Sequence, residues 1–248
     1  MILLFDVGNT NIKIGLAKDN KIEQVYRINT VANKTPDLYA VDLNQLFDPE
    51  IVKGVIIASV VPEVTLTLKI LSKRLYQLEP LVIGPGIKTG IMLKTDYPQE
   101  VGADIVGAAA AITSYKPTII VDLGTANKYI YVKDKTLLGV IISPGVEISI
   151  KALIGSTALL PSFDIKVPKK VLGTNTIHCM QSGVTYGVAA EVEGLLMRIK
   201  GEIREDCDVI ITGGLAKIIA PLVYTPNSVN PNLVLEGLLN IYYLNQNR

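Results

Sequence analysis

Asp6, Gly8, Asn9 and Thr10 stand together where one apolar run ends and another begins, in ILLFDVGNTNIKIGLA. A carboxylate at a strand end can hold a metal ion or its water, and Mg2+ favours carboxylate together with phosphate oxygens. Gly8 lets a ligand approach the backbone. Asn9 and Thr10 bring side-chain donors, and successive turn amides form an anion-binding nest. The chemistry this set suits is phosphate binding. Taken alone, a hairpin turn with an Asx-type bond accounts for it as well. The pattern returns at Asp122-Leu123-Gly124-Thr125-Ala126, 116 positions later and close to half of the 248 residues. Two such hairpins facing one cleft would grip a nucleotide's phosphates from both sides.

Two further clusters carry polar or flexible residues beside apolar runs. Thr212-Gly213-Gly214 closes VIITGG. It suits close approach of a base or ribose to the backbone, and a strand-to-helix turn packed through glycine fits equally. Asp104 opens the Ala-rich stretch ADIVGAAAA. There it complements a helix dipole or acts as the base for a substrate hydroxyl, as a kinase requires. GPGIKTG has Ile87 where a phosphate-binding P-loop needs glycine, so it is not one. A single histidine, His178, argues against a histidine triad or a multi-histidine metal site. Cys179 and Cys207, the only cysteines, read as packing residues rather than a disulfide framework.

The elements that must position these residues follow from period and punctuation. ILLFDVG and IKIGLAK read as strands flanking a Gly-Asn-Thr-Asn turn, and KIEQVYRIN as a third strand. VKGVIIASVV reads as a strand buried on both faces. A helix begins at Pro62, and PLVIG is a short strand. ADIVGAAAAITSY reads as a tightly packed helix. The second half repeats the order: TIIVDLG, ANKYIYV and LLGVIIS as strands, a helix after Pro144, a long helix through TNTIHCMQSGVTYGVAAEVEGLLMRIKGEIRE, the strand CDVIITGG, and a closing helix in NPNLVLEGLLNIYYLNQ. The expected fold is two related α/β halves, 1–115 and 116–248, around a central cleft.

Composition narrows the partners. With 24 basic and 23 acidic residues the net charge is +1 and no long run has one sign. Nucleic acid and anionic membrane are therefore not expected as partners. No apolar segment approaches the ~20 residues needed to span a bilayer. MILLFDV lacks the basic start of a signal peptide. A cytoplasmic protein is the expectation.

The motifs DVGNTNIKIG, GADIV, DLGTA, GVIISPG, GTNTIHCMQSGVTYG and ITGG occur in the order found in type III pantothenate kinases, which the sequence resembles from residue 1 to about 239. That family lies in the acetate/sugar kinase, Hsp70 and actin superfamily. The resemblance implies two ribonuclease-H-like halves of a duplicated actin/hexokinase-type fold. It implies transfer of the ATP γ-phosphoryl group to pantothenate, the first step of coenzyme A synthesis, with Mg2+ and a monovalent cation (K+ or NH4+) in a homodimer.

Carried over by motif, Asp6, Val7, Gly8, Asn9, Thr10, Asn11, Ile12 and Lys13 would line the ATP phosphates, with Asp6 on Mg2+ directly or through water. Thr125, Gly213 and Gly214 would complete the nucleotide site. Asp122 would bind the monovalent cation. Asp104 would take the proton of the pantothenate hydroxyl, and Thr95, Gly102, Ala103 and Ile105 would border that substrate. Thr176 would reach it from the neighbouring subunit. Gly183 and Gly187, at i,i+4 on the long helix, suit a dimer contact or a close contact within the chain.

Three positions depart from the family pattern. Ile105 stands where the family usually has the Arg of Gly-Ala-Asp-Arg. Asn127 and Lys128 stand where it has Thr-Thr, and Thr95 stands where many members have Tyr. Lys128 would supply the positive charge lost at 105. These changes leave open a related phosphotransferase with another small acceptor, or a non-catalytic nucleotide-binding regulator.

Overall fold

The computed structural model describes residues 1–157 and 159–246, which fall into two compact units. The first comprises Met1–Ser114, Lys135–Leu137 and the chain from Leu233 onwards; the second comprises Tyr115–Asp134 and Leu138–Asn232.

In the first unit β1 (Ile2–Val7), β2 (Asn11–Lys18) and β3 (Lys21–Asn29) form an antiparallel meander. Asp19 and Asn20, both at positive φ, make the two-residue turn between β2 and β3, as right-twisted hairpins prefer. A helix that the sequence reading missed follows, α1 (Pro36–Leu46), whose first-turn amide of Leu38 is capped by Thr35 Oγ1. Then come β4 (Gly54–Ser59), α2 (Pro62–Leu75), β5 (Leu81–Val82), β6 (Met92–Leu93) and α3 (Ala103–Ala110). The sheet order is β3-β2-β1-β4-β5, with β4 parallel to both β1 and β5.

Successive side chains of β1 and β4 point to two covered faces, so both strands are apolar apart from Asp6 and Ser59 near their ends. Leu3, Phe5, Val7, Val55 and Ile57 join Tyr39, Leu43, Val64, Leu68 and Leu71 of α1 and α2 in one core. Leu4 and Gly15 turn to the other face, against Leu235. Asp6 shares the face of Leu4.

The second unit repeats this plan. β7 (Thr118–Leu123), β8 (Ala126–Lys133) and β9 (Thr136–Pro144) are followed by α4 (Val146–Gly155), α5 (Thr176–Ile203), β10 (Asp208–Thr212), α6 (Ala216–Ile219) and β11 (Ser228–Val229). The order β9-β8-β7-β10-β11 matches that of the first unit, with β10 parallel to β7 and β11. Within the first unit, Met92 and Leu93 pair in parallel with Thr136 and Leu137, the start of β9. Ile119, Val121, Leu123 and Tyr129 pack against Ala189, Val192 and Leu196 of α5. Asp122 and Lys128 therefore lie on the opposite face.

The closing helix, α7 (Leu233–Leu244), packs on α3, β1 and β4 of the first unit. A division at 115/116 places it in the second half by sequence, and its packing corrects that. Gly237 allows the approach, because a Cβ there would collide with the carbonyl oxygen of Gly107 in α3. Among the described residues no helix is long and apolar enough to cross a membrane.

Candidate active site

Each unit carries an acid one residue before the end of its first strand, and the register fixes what stands across from it in the hairpin. Asp6 is paired with Lys13 in β2, and Asp122 with Lys128 in β8. The intervening loop is one residue shorter in the second unit. The constant offset of 116 therefore holds through the first strand, is lost within the loop, and becomes 115 along the second strand. Lys13 and Lys128 are the equivalent positions of the two hairpins.

The first hairpin is held by its own backbone and by the end of β3. The Gly8 amide donates to the Asn11 carbonyl at 3.0 Å, and Thr30 Oγ1 donates to the Gly8 carbonyl at 2.7 Å. Asn9 is exposed, and Asp6, Gly8, Thr10, Asn11 and Lys13 are half-buried. Val7 and Ile12 are buried side chains of the core. Their side chains are therefore closed to a ligand, and only their backbone faces the hairpin loop's surroundings.

The α3 N-terminus belongs to the same unit. Asp104 sits in its first turn and accepts a hydrogen bond from the Ile105 amide at 2.9 Å through Oδ1. Gly102 and Ala103 precede it, half-buried. Ile105 is 6 % exposed, so its side chain packs into the core beside the α3 N-terminus. Thr95 Oγ1 is buried without a hydrogen-bond partner among the described residues.

In the second unit the loop after β7 is enclosed by backbone. A Cβ on Gly145, at the start of α4, would collide with the carbonyls of Gly124 and Thr125. Gly213, at φ 94°, lies against the backbone of Leu123. The glycine after Thr212 is required by both conformation and contact. Lys128 Nζ donates to Asp122 Oδ2 at 2.9 Å, with the two side chains 15 % and 14 % exposed. The cation gained at 128 is thus engaged at Asp122.

A polar network that the sequence reading missed lies behind this loop. Glu191 Oε1 of α5 accepts from Tyr129 Oη at 2.8 Å and Ser143 Oγ at 2.5 Å, with Asn127 Nδ2 at 3.5 Å. Asn127 Nδ2 also faces the Pro144 carbonyl at 3.4 Å, and its Oδ1, buried, has no partner among the described residues. Burial, then the Glu191 hydrogen bond, pushes the Tyr129 hydroxyl well above the ordinary tyrosine range. A glutamate in the middle of a long helix gives no local cue to a buried acceptor.

Thr176 is exposed in the first turn of α5, where Asn175 caps the helix through the His178 amide. Cys207 is buried and its thiol is raised by that burial, whereas Cys179 is exposed, which corrects the packing role expected for it. Two grooves of the second unit, one by Lys217, Pro221 and Asn227 and one by Glu193, Met197 and Thr225, contain none of the motif residues.

The repeated strand order, with an acid-ended hairpin in each unit, is the duplicated α/β fold shared with sugar and acetate kinases. Among solved structures a conserved Baf family protein of Campylobacter jejuni, described as a transcriptional activator, aligns with TM-score 0.62 at 20% identity, covering 99% of this chain and 100% of that one. A 2-dehydro-3-deoxygalactonokinase-like protein of Sinorhizobium meliloti aligns with TM-score 0.59 at 11% identity, covering 99% and 97%. Residues 2–198 match the family model for type III pantothenate kinase. A type III pantothenate kinase of Acholeplasma laidlawii is 54% identical over 245 residues, 99% of each chain. The chain belongs to the type III pantothenate kinase family, within the acetate/sugar kinase, Hsp70 and actin superfamily.

Proposed function

We propose that this protein transfers the γ-phosphoryl group of ATP to the primary hydroxyl of pantothenate, yielding 4'-phosphopantothenate and ADP. The observation that carries this reading is the 54% identity with the Acholeplasma laidlawii enzyme across 99% of both chains. The hydroxyl oxygen attacks the γ-phosphorus, its proton passes to the Asp104 carboxylate, and the bond to the bridging oxygen of ADP breaks. Asp104 is suited to the role because the Ile105 amide orients its Oδ1. Such transfer depends on positioning and electrostatics more than on covalent steps.

The remaining assignments belong to the same proposal. Residues 6–13 line the ATP phosphates, with Val7 and Ile12 contributing backbone only. Thr125 contacts ATP, and Gly213 and Gly214 border the ribose or base. Gly102, Ala103 and Thr95 border pantothenate, and the unpartnered Thr95 Oγ1 suits a polar group of that substrate. Thr176 reaches pantothenate from the second subunit of a homodimer.

Mg2+ binds with one or two carboxylates plus phosphate oxygens and waters. Asp6 is a ligand of that kind, and among the described residues no group of three metal-ligating side chains offers a fuller cage. When bound, Mg2+ neutralises charge on the transferring phosphate. The even charge balance supports small-molecule partners and a place in the cytoplasm rather than on nucleic acid or membrane.

The test is incubation of purified protein with Mg-ATP, K+ and pantothenate, followed by detection of phosphopantothenate. Product that vanishes in Asp104→Asn supports the proposal. ATP turnover only with another small acceptor would identify a sister phosphotransferase, and ATP binding without turnover a regulator.

A further inference from the structure

The family resemblance gives Asp122 a monovalent cation as its ligand, and the structure does not fit that assignment. Lys128 stands directly across from Asp122 in the β7–β8 register. Its Nζ donates to Asp122 Oδ2 at 2.9 Å, and both side chains are largely withdrawn from solvent. A soluble cation at that carboxylate would have to displace the ammonium or sit beside it. Displacement breaks a partly buried ion pair, and adjacency sets two positive charges together; both are unfavourable.

We propose that the Lys128 ammonium takes the place of the soluble monovalent cation at Asp122, so that this enzyme works without K+ or NH4+. A lysine ammonium is a compact single charge on a flexible stem. Here it is delivered by the chain itself, and a tethered group competes at an effective concentration that dissolved ions do not match. Register makes the delivery specific. Asn127, one residue before, faces the Glu191 side of the sheet, and within β8 position 128 is the one that both opposes Asp122 and shares its face. The shorter loop of the second hairpin is what brings the lysine to that position.

The inference rests on the reading of Asp122 as part of the nucleotide site, and two measurements separate its failure from that of the kinase reading. The first is Mg-ATP affinity by isothermal titration calorimetry in choline, Na+ and K+ buffers of equal ionic strength. The second is pantothenate phosphorylation in the same buffers. The wild-type protein is expected to change by less than about threefold in either between choline and K+. A gain of about threefold or more in ATP affinity or turnover on adding K+ overturns the proposal. If no phosphopantothenate forms in any buffer, the kinase reading fails while the affinity measurement still decides this one.

Lys128→Ala opens the site to a dissolved ion. It is expected to lose at least about tenfold in turnover in choline and to recover with K+ or NH4+. A folded Lys128→Ala that is as active as wild type in choline, or that K+ fails to restore, counts against the proposal. Lys128→Gln keeps a donor on Asp122 without the charge and serves as the second variant if Lys128→Ala does not fold. The same two outcomes, dependence with rescue or its absence, decide with it.

Discussion

Replacing Asp104 by Asn preserves the shape of the first turn of α3, because Oδ1 can still accept from the Ile105 amide. What it removes is the proton acceptor. We expect kcat to fall by about 10²–10⁴-fold, with Mg-ATP affinity by calorimetry unchanged. A variant within a few-fold of wild type would remove Asp104 from the chemistry. Tyr129 offers a residue-scale test of the buried network. Burial first, and then the Glu191 hydrogen bond, raises its folded-state pKa above the unfolded value. As pH rises the unfolded chain gives up this proton first, so the stability it contributes is complete below about pH 10. It drains as the pH climbs past that point. Tyr129→Phe is expected to cost about 1–2 kcal/mol at neutral pH and to make the alkaline fall in urea midpoint shallower. An identical alkaline slope in the two proteins would contradict this. Tyr76 is the opposite case, since its hydroxyl is buried with no partner among the described residues. Tyr76→Phe should leave the thermal midpoint unchanged or raise it.

At the level of elements, two sets of glycines distinguish packing from open surface. A Cβ on Gly237 would meet the Gly107 carbonyl, a rigid backbone atom, so Gly237→Ala must push α7 off α3. We expect a loss of about 1–3 kcal/mol in urea unfolding. Gly183 and Gly187 on α5 face open space, where a methyl would meet no atom of the described residues within 4 Å. Alanine there should add up to about 1 kcal/mol of helix stability in a protein kept monomeric by dilution.

The same elements show what could be read in advance. Strands β1 to β4 and β7 to β10 were legible because apolar runs ended in glycine or polar turns. α1 carried its start signal in Thr35, Pro36 and Asp37, but its interior mixes polar residues with a short apolar stripe and the period is weak. The docking of α7 was not legible, since an apolar helix does not state which sheet it covers. Position 128 was visible as a departure from the family pattern. Its partner was hidden, because the ungapped offset aligns Lys13 with Tyr129 and only the shorter loop reveals Lys128 as the equivalent of Lys13.

For the whole molecule the open question is assembly, and α5 is where it can be tested. The helix buries Ala189, Val192 and Leu196 on β7 and β8, while Met197 is 69 % exposed and the Gly183–Gly187 face is open. We expect a homodimer of about twice 26.8 kDa in sedimentation equilibrium. Leucine at Gly183 and Gly187 should shift the mass towards monomer with helix content retained. The proposed role of Thr176 gives a sharper readout than mass. If Thr176 serves the partner's pantothenate, then Thr176→Ala and Asp104→Asn, each weak alone, damage different chains of one site. Mixed dimers then contain one site that joins an intact Asp104 to an intact Thr176. An equal mixture, unfolded and refolded together, should regain about a quarter of wild-type activity, because about half the dimers are mixed and each has one complete site. If each chain used its own Thr176, every site would keep one lesion and the mixture would stay as weak as the average of its parts.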